Sequence, residues 1–138
     1  MFWIYHITLG IIISILLYPV YGANVLIIFI SNLLIDADHY LWYIFRMKSL
    51  NLFKAFKFYK NRTLRLKYRN ILHVFHTIEF LILIIVLSFY FEIFFLILIG
   101  IVIHLILDII DLLMIRQCID LRVWSFLEFF IIKIKRFL

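Results

Sequence analysis

Long apolar runs decide most of what this chain can fold into. Residues 2–18 hold no Lys, Arg, Asp or Glu, and Pro19 and Gly22 punctuate the run. A second run extends from about Asn24 to Phe45, a third over 71–91 and a fourth over 94–115. A bilayer span needs about 20 such residues. Of the 138 residues, 67% are hydrophobic and 20% aromatic, and the mean hydropathy is +1.16. Ordinary soluble domains carry roughly 45–50% apolar residues, so one small core cannot bury the surplus. Disorder, which needs low hydrophobicity, is excluded as well. The expectation is all-α: a single polytopic membrane helix bundle over 1–138, with four transmembrane helices and a short or interfacial fifth helix in the amphipathic tail 116–138.

Charge sets the expected orientation. Lys and Arg number 14 against 8 Asp and Glu, a net +6. Many of the cations fall in 46–70: Arg46, Lys48, Lys54, Lys57, Lys60, Arg62, Arg65, Lys67 and Arg69, with no acid among them. The positive-inside rule makes that loop and the N-terminus cytoplasmic, in the cell membrane. Residues 2–18 lack the basic start of a signal peptide, and Tyr21-Gly22-Ala23 is a poor cleavage site, so a retained helix is expected. Leu52, Phe53, Phe56 and Tyr59 recur at helical spacing, with Lys54, Lys57 and Lys60 on another face. That pattern suits a helix lying on anionic lipid headgroups, with membrane lipid rather than nucleic acid as the partner. The same lysines could recruit phosphate to a nearby site. Cys118 is the sole cysteine, which excludes an intrachain disulfide and a Cys-rich metal site. Scarce Ala beside abundant Ile, Phe, Lys and Tyr is the usage of an AT-rich microbial genome.

The ionisable residues inside the apolar runs carry the functional signal. His6, His39, His73, His76 and His104 all lie in or at the edge of such a run, as do Asp36, Asp38, Glu79, Asp108 and Asp111. Each costs roughly 2.5–3.5 kcal/mol at a span centre on insertion scales, which makes it a functional candidate. With the orientation above, all of them fall toward the cytoplasmic ends of their spans. At 100° per residue His104, Asp108 and Asp111 cover about 60° of one helix face, and Gly100 joins that stripe. His73, His76 and Glu79 cover about 120°. Asp36 and His39 are i, i+3 neighbours. Asp38 points elsewhere on a regular helix, so either the helix loosens there or Asp38 has another partner.

Three readings fit this set. His nitrogen and carboxylate oxygen suit a divalent metal, Zn²⁺ first, with Mn²⁺ or Fe²⁺ as alternatives, in a centre of one or two ions. Asp and His can instead line a proton or ion path. They can also form interhelical polar pairs without chemistry. No His-Glu-x-x-His, Gly-x-Ser-x-Gly or Walker loop is present.

Asp36-Ala37-Asp38-His39, the later His73/His76 segment and Gly100-x-x-x-His104-x-x-x-Asp108 occur in this order on successive runs. The set resembles the small inner-membrane metal-dependent hydrolase family that is LexA-regulated in bacteria and has many archaeal relatives. His6 matches an early histidine often seen in that family's first helix. The middle motif departs from the family's His-Arg-x-x-Thr-His-Ser, since here His73-Val-Phe-His76-Thr77-Ile-Glu79 sets the histidines three apart. The resemblance implies a metal held by His6, Asp36, Asp38, His39, His73, His76, His104 and Asp108. It implies metal-activated water attacking an ester, with a lipid phosphoester the substrate suggested by location. Glu79 or Asp111 would serve as general base or orient a ligand. The alternative expectation is a non-enzymatic metal-binding or ion-transport protein.

Overall fold

The computed structural model describes residues 3–61, 68, 71–111 and 122–135. Helix α1 (Trp3–Tyr21) turns through a 3-10 segment, Gly22–Asn24, into α2 (Val25–Leu34). After Ile35 and Asp36 the chain resumes as α3 (Ala37–Met47), then α4 (Leu52–Lys60). A two-residue strand β1 (Ile71–Leu72) and a 3-10 turn, Val74–His76, precede α5 (Ile78–Ser88) and α6 (Glu92–Asp111). The tail adds strand β2 (Arg122–Val123) and α7 (Phe126–Lys135). The described chain is therefore all-α apart from one parallel pair, in which Ile71 faces Arg122 and Leu72 faces Val123.

Helix α6 is the central post. It lies along α2, its most extensive contact, and along α5, while α1 packs on α2. Ile35, Ile84 and Ile101 are buried where α2, α5 and α6 meet, flanked by Phe75, Phe80 and Ile97. A second cluster of Tyr43, Ala55 and Phe58 joins α3 to α4. There Asn51 caps α4 by accepting from the Lys54 N–H at 2.9 Å. The packed face of α4 is thus Ala55 and Phe58, and Leu52, Phe53 and Phe56 are exposed. Lys54, Lys57 and Lys60 are exposed as well.

The α2–α6 approach depends on Gly100. A Cβ there would collide with Ser31 Oγ and with the Ile28 carbonyl of the α2 backbone. No rotamer change relieves a clash with a carbonyl, so the two helices touch only because position 100 has no side chain.

Two expectations about spans are corrected. The run 24–45 is not one helix, because α2 stops at Leu34 and α3 starts at Ala37. The run 71–91 is helical only over Ile78–Ser88. Those 11 residues rise about 16 Å, short of a hydrocarbon core about 30 Å thick. Thr77 sets its start: the side chain accepts from the Phe80 N–H at 3.3 Å with an extended backbone (ψ 152°), so the helix cannot extend back through His73. The stretches long and apolar enough to cross a membrane lie in the helical segment Ile4–Met47 and in Glu92–Ile110. Their apolar windows are only 11% and 22% buried within the chain. The tail does hold a short helix, as expected. The loop residues Arg62, Arg65, Lys67 and Arg69, and 112–121 with Cys118, lie outside the described residues.

Gly100→Ala tests the central contact. Exposed helix positions gain up to about 1 kcal/mol from Gly→Ala, whereas overpacking costs about 1–3 kcal/mol. We expect a net loss, read as a lower thermal unfolding midpoint of the purified protein. A higher midpoint would contradict the close approach.

Candidate metal centre

Eight of the sequence-derived ligands come together at one end of the bundle. His6 stands near the start of α1, and Asp36 occupies the break between α2 and α3. Asp38 and His39 open α3, and His73 and His76 flank the turn before α5. His104 and Asp108 lie on one face of α6 near its end. His6, Asp38, His39, His73, His76 and His104 are all buried.

Two backbone events make this convergence. At the α2–α3 break the Asp36 N–H bonds the Leu33 carbonyl at 3.4 Å, a tight turn that leaves the Asn32 carbonyl for another donor. His104 Nδ1 takes it at 2.7 Å. The break also answers the Asp38 question on both counts: the helix loosens, and Asp38 has partners of its own. Its Oδ1 accepts from His39 Nδ1 at 2.7 Å. Its Oδ2 accepts from the Phe75 N–H at 2.9 Å and from His76 Nδ1 at 3.0 Å.

These bonds fix imidazole tautomers. A carbonyl or a carboxylate only accepts, so the Nδ1 of both His104 and His76 must carry a proton. In the neutral ring each Nε2 then keeps its lone pair, as for a ring prepared for a cation. The two Nε2 atoms face carboxylates rather than donors. His104 Nε2 lies 3.4 Å from Asp36 Oδ1 and 3.8 Å from Asp108 Oδ1. His76 Nε2 lies 3.8 Å from Asp36 Oδ1 and 3.6 Å from Asp108 Oδ2.

These four edges are too long for hydrogen bonds, whose N···O distances run about 2.7–3.2 Å. A cation with bonds of about 2.0–2.2 Å spaces tetrahedral donors by roughly 3.3–3.6 Å; the edges at 3.4 and 3.6 Å fall in that range and the two at 3.8 Å lie just beyond it. Asp36 Oδ1, His76 Nε2 and His104 Nε2 are fully buried with no hydrogen-bond partner. Such groups are costly unless something satisfies them. Without a cation, lone pairs and anionic oxygens would face one another in a dry site. The donor set fits a divalent metal.

The remaining ligand candidates ring this cage. His6 Nε2 lies 3.7 Å from Asp108 Oδ1, and its ring stacks on His104 with centroids 4.2 Å apart. His6, His104 and Asp108 form a second metal-capable triple that shares His104 with the first. Asp38, His39 and His73 form a third, in which the His39 and His73 rings stack at 3.7 Å. In this third triple both Asp38 oxygens already accept hydrogen bonds, which suits Asp38 to orienting His76 and His39.

Sequence reasoning passed over the residues that hold the ligands in place. Asn32 Nδ2 donates to the His6 carbonyl at 3.1 Å, while its own carbonyl serves His104. A Cβ at Gly10 would stand 2.7 Å from that amide nitrogen, so Gly10 makes room for it. Tyr59 of α4 donates its hydroxyl to the His39 carbonyl at 2.8 Å. The available signal for Asn32 was a lone amide in an apolar run, one helical turn before Asp36.

Glu79 stands outside the three triples. Its Oε1 accepts from the Ser125 hydroxyl at 2.5 Å and from the Phe126 N–H at 3.0 Å. It therefore caps α7 from another element, a favourable place for a carboxylate. The Ile78 N–H, donating to the Trp124 carbonyl at 2.9 Å, completes that docking. Asp111 closes α6, and its side chain lies outside the described residues. Lys54, Lys57 and Lys60 lie exposed on α4.

Three outcomes follow. In detergent-purified protein analysed by elemental mass spectrometry, wild type should carry a divalent metal, and His104→Ala or Asp36→Ala should lose it. Asp38→Asn should weaken binding by about 10–100-fold, as loss of an orienting partner does. Glu79→Gln should keep wild-type metal content yet speed amide exchange across Phe126–Lys135; unchanged exchange there would sink the capping role. Comparison of the chain with protein families, with curated proteins and with solved structures gives no match.

Proposed function

We propose that this protein is a membrane-embedded, metal-dependent hydrolase acting on an ester at the cytoplasmic leaflet. The single observation that carries the reading is the cage of Asp36 Oδ1, His76 Nε2 and His104 Nε2, buried and without hydrogen-bond partners. Asp36, His76 and His104 hold a divalent cation, Zn²⁺ by donor type. When bound, the cation supplies Lewis acidity that lowers the pKa of a water toward about 7. Asp108, within 3.8 Å of His6, His76 and His104, stands beside the ion's position, where it would complete the donor set or, left unligated, would accept a proton from water. His6 orients Asp108, and Asp38 orients His76. Hydrolysis then splits the ester into acid and alcohol, with water as the only co-substrate.

Membrane placement is supported by where the apolar surface lies. A core helix of a soluble protein is mostly buried, whereas α1 shows Ile4, Ile15 and Leu16 at 73%, 66% and 69% exposure. Exposed apolar surface on this scale marks contact with lipid or another partner. The polar groups are inside and the apolar ones outside. Helix α4, with exposed Phe53 and Phe56 beside exposed lysines, suits the interface with anionic headgroups. Its Tyr59 reaches His39 and so ties that surface to the centre.

A second reading has its own support. The rings run His73–His39–His76–His104–His6 with successive centroids 3.7, 4.8, 5.4 and 4.2 Å apart. A continuous line of imidazoles suits proton transfer. The experiment that separates the two uses protein reconstituted in vesicles with Zn²⁺ or Mn²⁺ and a panel of lipid carboxyl and phosphate esters. Metal-dependent release of acid or phosphate, abolished by His104→Ala, is expected. Metal bound without turnover on any ester, but with proton flux across the vesicle, would overturn the hydrolase reading.

A further inference from the structure

A cavity of about 300 Å³ adjoins the metal centre and takes no part in it. It lies between α2, α5 and α6, and its walls include Ile35, Phe75, Ile97 and Ile101. Its volume is at the small end for ligand sites. Three wall residues are next to, or one turn from, cage residues. Ile35 precedes Asp36, Phe75 precedes His76, and Ile101 lies three positions before His104. The Phe75 N–H also donates to Asp38, so the wall touches the carboxylate that orients His76.

The wall chemistry selects the occupant. Ser31 is the one hydroxyl in the lining, and it already donates to the Ile28 carbonyl at 3.0 Å. The rest of the lining is aliphatic or phenyl. A sugar, nucleotide or peptide backbone would lose its water there without new hydrogen bonds, at a cost of several kcal/mol. A hydrocarbon gains on entering. Ile30 and Leu34 form part of the lining and are 51% and 59% exposed, so the mouth opens on the same outer face as the apolar surface of α2.

We propose that this cavity is an acyl-chain site: it takes the linear hydrocarbon chain of a membrane amphiphile whose polar head lies at the Asp36/His76/His104 cage. The proposal rests on the hydrolase reading for the chemistry of the head, and it narrows the substrate to chain-bearing esters. Binding of the chain stands on the cavity alone.

The test is photolabelling in lipid nanodiscs with a phosphatidic acid that carries a diazirine in its chain, the adducts being mapped by tandem mass spectrometry. Ile35 and Ile101 are 4% and 3% exposed yet line the cavity, whereas Ile84, at 5%, is buried in the same cluster and does not line it. Bulk lipid reaches none of the three. Labelling of Ile35 and Ile101 severalfold above Ile84 is expected. Ile97→Trp, which fills the cavity, should remove that excess and leave labelling of Ile15 and Leu16 on α1 unchanged. Ile30→Trp at the mouth repeats the test from an exposed position that folding tolerates. Equal labelling of all three buried isoleucines, or an excess that survives both tryptophans, overturns the proposal. Labelling does not depend on turnover. An occupied cavity without hydrolysis would therefore refute the enzyme and keep the acyl site, and turnover without cavity labelling would do the reverse.

Discussion

The hydrogen bond from His104 Nδ1 to the Asn32 carbonyl is the contact on which the rest depends. A regular helix through residues 32–36 would spend that carbonyl on the Asp36 N–H. Because the chain tightens at Ile35 and Asp36, the carbonyl is freed at the end of α2, where a helix leaves such groups without intrahelical partners. The bond fixes the His104 tautomer and turns its Nε2 toward Asp36, the residue set in the break. Gly100, one turn earlier on α6, lets the two backbones close to the required distance. Helix end, tautomer and ligand geometry are one arrangement.

Burial and exposure are inverted relative to a soluble domain. Histidine and aspartate occupy the interior at one end, and isoleucine, leucine and phenylalanine cover much of the outside. In water the outer surface would drive aggregation, and the inner one would be replaced at little cost by apolar side chains. In lipid the same layout is stable, because the polar groups shield one another and the outer surface needs no partner.

Much of the candidate centre was legible in the sequence because ionisable residues in apolar runs are expensive and few. His104 and Asp108 could be placed on one face by spacing alone, and Asp38 announced an irregularity by pointing away from Asp36 and His39. The length of α5 was not legible. Residues 71–91 are continuously apolar apart from His73, His76, Thr77, Glu79 and Ser88, and an apolar run reads alike whether its first third is helix or turn. The partners of Glu79 were hidden for a related reason: Ser125 and Phe126 lie 46 and 47 residues away, beyond anything spacing can indicate. The side of α4 that packs on the protein was not legible from its spacing, since Tyr43 of α3, which buries Ala55 and Phe58, lies in another helix.

The candidate centre, cage and surrounding ligands together, draws its members from α1, the α2–α3 break, the turn before α5 and the end of α6, so its parts span positions 6 to 108. No shorter piece of the chain can complete it. While α6 is still being made, the early histidine and aspartates have no final partners, and closing the loops that join them costs entropy before any contact repays it. The centre is therefore a late product of assembly. A cation bound there would be captured only after the helices have met, and it would then hold them together, since a metal that binds only the assembled form adds its binding free energy to the stability of that form. An occupied centre would therefore report that the chain has finished folding.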